Sequence, residues 1–574
     1  FSSMTNGMGT TLSLNGLPDD YFIFLENGKR LYGDDTYARI NVAKIKRIEI
    51  LNGASSALYG TNAIGGVINI ITDDAKNAIN VSSDTRYASK GRFTQSVNID
   101  VNTGKFGSYT SYRRQQAEGW QLNPYEENSK THELEETGKV ASTGFYANTV
   151  NQKFTFDATD KLSFYARGGY YDNKTRRPYE AYDYNILHET FNYGIGAQYM
   201  INKGNYITAD CYADHFSSSY CFFKDNKTYN GKAGEEQVRK RTRNHNLSIK
   251  GIFKLGNRHK LSVGTEYIVD VLKSQTDNIA KEDAYTLALF AQDEIKLLRN
   301  LQALIGVRYI YHENFKNHAT PNVALMYKPG KFNFRASYAA GFRTPTLSEL
   351  YATDIAKKND RLTIGNLDLK PEKNNYFSLS AEYVHERFSV SVNAFYNNIR
   401  DMIDYNTIAT GDKAMEQYGH KEVRQRDNIA EAKVHGINVS ANAYLGAGFN
   451  LSGGYTHLNT QDVELEQPID KSIKNAYNIN AQWAHSWKIY RLNINLNGRI
   501  NSKRFSKSYG YAPEYQLWDL NTRHSFNLKS VIIEPGFGME NLFDYMDDRP
   551  YNSNYATLTP GRSFYISLSL KFKS

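Results

Sequence analysis

The chain has 574 residues, with 44 Tyr and 29 Phe against only 12 Pro, a formal net charge of +9 and a mean hydropathy of −0.61. It contains no unbroken apolar run of the ~18 residues or more that a spanning helix requires, which excludes a helical membrane protein. Nor does the basic balance signal nucleic acid, because Lys and Arg are scattered through polar segments with neither a dense run nor a zinc-binding spacing.

Taken in order, Tyr21-Phe-Ile-Phe-Leu25 predicts a buried strand, stopped by the turn signal Glu26-Asn27-Gly28-Lys29-Arg30. The segment Leu31-Tyr-Gly-Asp-Asp-Thr-Tyr37 that follows is polar and aromatic. Residues 42–72 then predict a strand over 45–51, a turn at Asn52-Gly53, and a short helix over 54–59 closed by Gly60. Gly65-Gly66 precede a second strand over 67–71. By pattern alone this is an α/β fragment of no particular function.

Its residues say more. The stretch from Val42-Ala-Lys-Ile-Lys-Arg-Ile-Glu-Ile-Leu-Asn-Gly through Gly65-Gly-Val-Ile-Asn-Ile-Ile-Thr72 resembles, almost position for position, the end of the plug domain of TonB-dependent outer-membrane receptors. The resemblance implies a plug over residues 1–76 lodged inside a transmembrane β-barrel over 80–574. It also implies that a signal peptide and an energy-coupling box belong ahead of Phe1. In this family residues 31–37 correspond to an apical loop facing the ligand, which makes Tyr32, Asp34, Asp35 and Tyr37 candidate contacts; an ordinary solvated loop is the alternative. Lys46, Arg47 and Glu49 are expected to gate the plug, pairing with wall charges through hydrated, replaceable contacts.

From about residue 80 the period becomes two. Phe191, Tyr193, Ile195, Ala197 and Tyr199 alternate with polar or small neighbours, as do Leu261, Val263, Thr265, Tyr267 and Val269. Many such runs match the ~9–11 residues that cross a bilayer at a tilt, and about 22 of them fit before the C-terminus, an even number that closes a sheet with both ends on one side. The links alternate short (102–105, 157–161, 202–204, 255–259, 329–330) and long (117–143, 172–190, 218–243, 341–375, 401–431, 540–561), as periplasmic turns and extracellular loops do. The fold class is therefore an all-β membrane barrel of about 22 antiparallel strands, and the resemblance implies an N-terminal α/β plug in its lumen.

The final segment sets Phe564, Ile566, Leu568, Leu570 and Phe572 on one face, and resembles the C-terminal strand recognised by the outer-membrane insertion machinery. Asn541-Leu-Phe-Asp544 resembles a family motif opening the last long loop. Cys211 and Cys221 leave a short-loop disulfide or two free thiols open.

No nucleophile elbow, phosphate loop or metal-ligand spacing is present, so no enzyme, intrinsic cofactor or protein-bound metal is expected. Tyr338-Ala-Ala-Gly-Phe-Arg-Thr-Pro-Thr-Leu-Ser-Glu-Leu-Tyr351 and Gly365-Asn-Leu-Asp-Leu-Lys-Pro-Glu372 resemble the two boxes bracketing the seventh extracellular loop of haem, vitamin B12 and some siderophore receptors. Arg343 and Glu372 are expected to anchor that loop, with direct ligand contact by Arg343 and Tyr351 as the alternative. Residues 343–372 lack the His that haem receptors often carry there, so His420, His318, His132 and His188 are the substitutes to weigh. The implied function is energy-coupled import of a scarce metal chelate (cobalamin, haem or ferric siderophore), whose own cobalt or iron is cargo. A passive porin, or a surface barrel working mainly through a protein partner, is the competing reading. The implied partners are outer-membrane lipid, a TonB-type coupling protein and a surface lipoprotein lid.

Overall fold

The computed structural model describes residues 13–33, 36–42, 45–53, 63–72, 78–120, 125–128, 131–136, 143–177, 179, 182–356, 360–506, 510–546 and 559–573. Twenty-two antiparallel strands form a closed barrel, beginning with Ile79–Ala88 and ending with Ser563–Lys573. These two strands pair with each other, from Tyr565 opposite Ala88 to Lys573 opposite Asn80, so the sheet has no free edge.

The alternation in the sequence becomes an outside and an inside. Ile195, Leu247 and Leu289 point outward and are about half exposed, whereas Asn192, Asp214 and Asn244 in adjoining strands point inward and are buried. The last strand obeys the same rule, with Phe564, Ile566, Leu568, Leu570 and Phe572 all on the exposed outer face. No helix among the described residues is long and apolar enough to cross a membrane.

One rim has tight turns and the other carries the long connections. Three of the expected long loops are nonetheless shorter than their sequences suggest. Strands Leu162–Arg176 and Tyr184–Asn202 consume most of 172–190, and strands Asn205–Phe222 and Glu236–Leu255 half of 218–243. Strands Phe388–Thr410 and Glu422–Gly446 extend into 401–431 and are capped by helix Gly411–Tyr418. Above the bilayer both sheet faces meet water, so apolar alternation fades while backbone pairing persists. Cys211 and Cys221 are free thiols. They lie on one strand, about 30 Å apart, which rules out the disulfide between them.

Inside, four plug strands lie in the order Lys29–Arg30, Phe22–Glu26, Gly66–Thr72, Ile45–Asn52. Phe22, Phe24 and Ile70 pack on one side of this sheet, and Ile23, Leu25 and Val67 on the other. Asn27 and Gly28 both take positive φ, 51° and 77°, which matches the twist of a two-residue hairpin. The helix expected over 54–59 lies outside the described residues.

The plug meets the wall unevenly. Leu17, Tyr21 and Ile64 form a dry seam with Tyr376, Phe395 and Val434. Gly53 seals this side. Its φ of +78° is a left-handed conformation, and an added Cβ would overlap the Tyr376 ring. Gly53→Ala is expected to cost about 1–2 kcal/mol in backbone strain alone, besides displacing Tyr376. The folded barrel should then yield a protease-sensitive plug; an unchanged digestion pattern would contradict this seating.

Candidate ligand vestibule and plug interface

Opposite the dry seam, the plug is held by charge. Glu26 pairs with Arg167 at 2.8 Å and Lys29 with Asp210 at 2.8 Å. Arg39 donates from Nη1 to both carboxylate oxygens of Asp214 at 3.1 Å, and the Tyr32 backbone N–H donates to the same carboxylate at 2.9 Å. Asn41 bridges Asn98 and Ser111, and Arg113 donates to the Ile40 carbonyl. Beside these contacts lies a cavity of about 230 Å³, lined in part by Glu26, Lys29, Gln152, Arg167 and Asp210.

The seventh outer loop, residues 344–371, is tied down by a buried ion cluster. Both Arg343 terminal nitrogens donate to Glu349 at 3.0 Å, and Nη2 also donates to Glu372 at 2.5 Å. Glu372 is fully buried and also accepts from the Tyr21 hydroxyl at 3.2 Å and the Ile403 N–H at 2.9 Å. One carboxylate thus joins plug, wall and loop. Thr346 and Glu349 form a capping box at the start of helix Leu347–Tyr351, which sets the Glu349 carboxylate against Arg343.

Burial would raise the Glu349 carboxyl, but the Arg343 charge, its hydrogen bonds and the Thr346 N–H outweigh burial and hold the group below its ordinary range. A carboxyl depressed on folding stabilises the loop above its unfolded pKa and loses that contribution as pH falls through the folded one. Acidification below about pH 4 is therefore expected to lower the amide protection of residues 346–351. Equal protection factors at neutral and acid pH would contradict the assignment.

Above the plug, the strand ends between residues 162 and 255 build an aromatic and cationic vestibule. Tyr184 and Tyr220 stack with centroids 4.0 Å apart, and Tyr229 closes on both at 5.7 and 5.2 Å. The Arg177 guanidinium lies 5.0 Å from the Tyr184 ring, and that of Arg239 lies 5.3 Å from Tyr220 and 4.9 Å from Tyr229. The arginines lie over ring faces, where the quadrupole attracts them. Neither forms an ion pair among the described residues, and Arg239 also donates to the Gln275 side-chain oxygen at 2.8 Å.

The residues singled out from sequence fall into three places. Tyr32 lies at the plug apex beneath the vestibule, with Arg30 over its ring at 4.8 Å, while Tyr37 packs on Phe24. Asp34 and Asp35 lie outside the described residues. Arg343 is enclosed by its two carboxylates, which fits anchoring rather than ligand contact. Tyr351 packs with Leu350, Leu369 and Ile403, and His420 contacts Asp360 at 2.9 Å, joining two outer loops. The third group departs from expectation. Arg47 pairs with Glu49 along its own strand at 2.6 Å, Asn69 donates to Glu49, and Lys46 is exposed. Glu26, Lys29 and Arg39 make the wall pairs instead; Glu26 and Lys29 lie at the end of the plug sheet opposite strand Ile45–Asn52. The vestibule arginines were missed; the dense Tyr and Arg content of 176–184 and 220–243 was the available signal.

A family model described as TonB dependent receptor-like, beta-barrel matches residues 92–542, and one described as TonB-dependent Receptor Plug Domain matches residues 1–67. The chain belongs to the TonB-dependent receptors. Similar solved structures include the ferric enterobactin receptor PfeA of Pseudomonas aeruginosa, at 16% identity and TM-score 0.82 over 99% of this chain and 94% of that one. The siderophore receptor PirA of Acinetobacter baumannii matches at 16% identity and TM-score 0.78, covering 97% and 91% of the two chains. The FrpB iron transporter of Neisseria meningitidis matches at 14% identity and TM-score 0.76, covering 98% and 93%. At such identities the likeness speaks for the fold. The receptor is an outer-membrane protein of the Gram-negative type, from a family of receptors rather than enzymes and without an intrinsic cofactor. Family membership brings a TonB-type partner and sets aside the passive porin.

Proposed function

We propose that this TonB-dependent receptor imports an anionic ferric chelate of the siderophore type. The observation that carries the reading is the vestibule, where Arg177 and Arg239 stand against the stacked rings of Tyr184, Tyr220 and Tyr229. Aromatic faces, and guanidinium groups with no ion pair among the described residues, suit a bulky anion with aromatic or hydroxylated edges better than a neutral corrinoid. Haem is disfavoured because residues 343–372, between the two loop boxes, contain no His. The similar solved structures of a ferric enterobactin receptor and a siderophore receptor support the same class.

Tyr32 forms the floor of the site, and Tyr37 supports it from below. Passage follows the polar side of the plug, where ion pairs can exchange for water as a TonB-type protein pulls. The existing cavity of about 230 Å³ is too small for a ferric chelate, so the plug must move. Capture within the barrel's own vestibule requires no surface lipoprotein lid, and the purified receptor should bind alone.

Intrinsic fluorescence quenching with a ferric catecholate, haemin and cyanocobalamin tests this. Saturable binding of the ferric chelate is expected, weakened about tenfold or more by Arg177→Ala with Arg239→Ala. Binding of haemin or cyanocobalamin alone would overturn it.

A further inference from the structure

The outer wall carries a second cationic feature, unconnected with the vestibule. On strand Glu236–Leu255, Asn244 is buried inward while Leu247 and Ile249 are exposed outward, so Arg241, Arg243 and His245 share the lipid-facing side. In register, Arg241 sits directly opposite Lys273 of strand His259–Ser274, and Arg243 directly opposite Val271. On the other flank, Arg243 faces His215 and Arg241 faces Ser217. Arg241, Arg243 and Lys273 are all exposed.

Like charges directly opposite on one sheet face destabilise it unless an anion lies between them. No protein carboxylate fills that role, since none of the three cations has an ion pair among the described residues. The nearest outward acids are engaged elsewhere. Asp283, across from Val271, pairs with Lys281 at 3.1 Å, and Glu189, across from Ser217, accepts from the Tyr170 hydroxyl at 2.9 Å. By contrast, three buried cations on the inner side, Arg167, Arg308 and Arg343, each hold a carboxylate.

Their height on the wall identifies the missing anion. Tyr193, Ala213, His245, Val269 and Tyr285 form one cross-strand row, and Tyr285 continues into Tyr267 and Tyr311 at 5.9 and 6.1 Å. This is an aromatic girdle at the outer interface. Arg243 lies two residues beyond the row, and Arg241 and Lys273 four residues beyond it, about 7 and 13 Å along the strand. With strands tilted by about 40° that is head-group depth, immediately above the hydrocarbon.

We propose that Arg241, Arg243 and Lys273 form a site for the phosphorylated head group of an outer-leaflet lipid. Guanidinium forks match phosphate oxygens two at a time, and Lys273 adds a point charge on the far side of the group. The bound lipid neutralises the repulsion and fixes the rim below the vestibule strands.

The test is native mass spectrometry of the intact receptor in mild detergent with added diphosphorylated lipid A. The wild-type receptor should retain one lipid, and R241Q/R243Q/K273Q should retain it at least tenfold less, since each cation near an anionic head group contributes about fivefold. K105Q/K203Q, on the tight-turn rim, should behave as wild type. Dephosphorylated lipid A should not be retained, and millimolar inorganic phosphate should not displace the lipid. Equal retention by wild type and triple variant, retention of the dephosphorylated lipid, or displacement by inorganic phosphate would each overturn the proposal. Should the triple variant lack the heat-shifted gel band of a folded barrel, Arg243→Gln is read in the same way, with a fall of about fivefold expected.

Discussion

Replacing Arg343 by Met is expected to release the seventh outer loop and to weaken its docked state by about 3–5 kcal/mol, the usual result of removing one partner from a buried ion pair. Two carboxylates, Glu349 and Glu372, would be left facing each other without a cation, one of them fully buried. The effect should reach the plug, because the Tyr21 hydroxyl donates to Glu372. Arg343→Lys should rescue only part of the loss, since an ammonium cannot reproduce the two-pronged contact with Glu349. Hydrogen exchange across 344–371 provides the measurement. If Arg343→Met left protection there unchanged, the cluster would not be the loop's anchor.

The second large effect is expected at Asp214. This carboxylate is buried at the wall and receives both Arg39 and the Tyr32 backbone N–H. Asp214→Ala leaves a buried guanidinium unpaired, at a cost of about 3–5 kcal/mol to the seated plug apex. The barrel closes through its own strand pairing and should still fold. The plug apex should become protease-accessible, and small solutes should leak through the receptor. Lys29→Ala provides the contrast. The Lys29–Asp210 pair is partly hydrated, with side chains 19% and 16% exposed, and its loss should cost about 1 kcal/mol or less. Equal leakage from the two variants would contradict the ranking of these contacts.

The architecture was legible because a barrel wall writes its geometry into every second residue. Strands such as Tyr184–Asn202 and His259–Ser274 announce themselves by an oily face, and the closing strand by Phe564 through Phe572. Where strands rise above the membrane that signal stops, and the hairpin of Phe388–Thr410 with Glu422–Gly446 was underestimated for that reason. The Arg343–Glu372 anchor was also legible, through the two loop boxes that carry it. Plug contacts were not. Lys46, Arg47 and Glu49 have the right charges, but which strand of a small sheet touches the wall depends on strand order, and order is a tertiary fact. The vestibule escaped notice for a similar reason, since Arg177, Tyr184, Tyr220 and Arg239 meet only when four strand ends are brought side by side.

The central claim is that a plug lodged in the lumen yields to force drawn from the inner-membrane proton gradient and so admits a ferric chelate. Uptake of a radiolabelled ferric siderophore by cells making this receptor, with and without a protonophore, tests it most directly. The account predicts that surface binding survives the protonophore while accumulation stops. Accumulation that continues after the gradient is collapsed would contradict it.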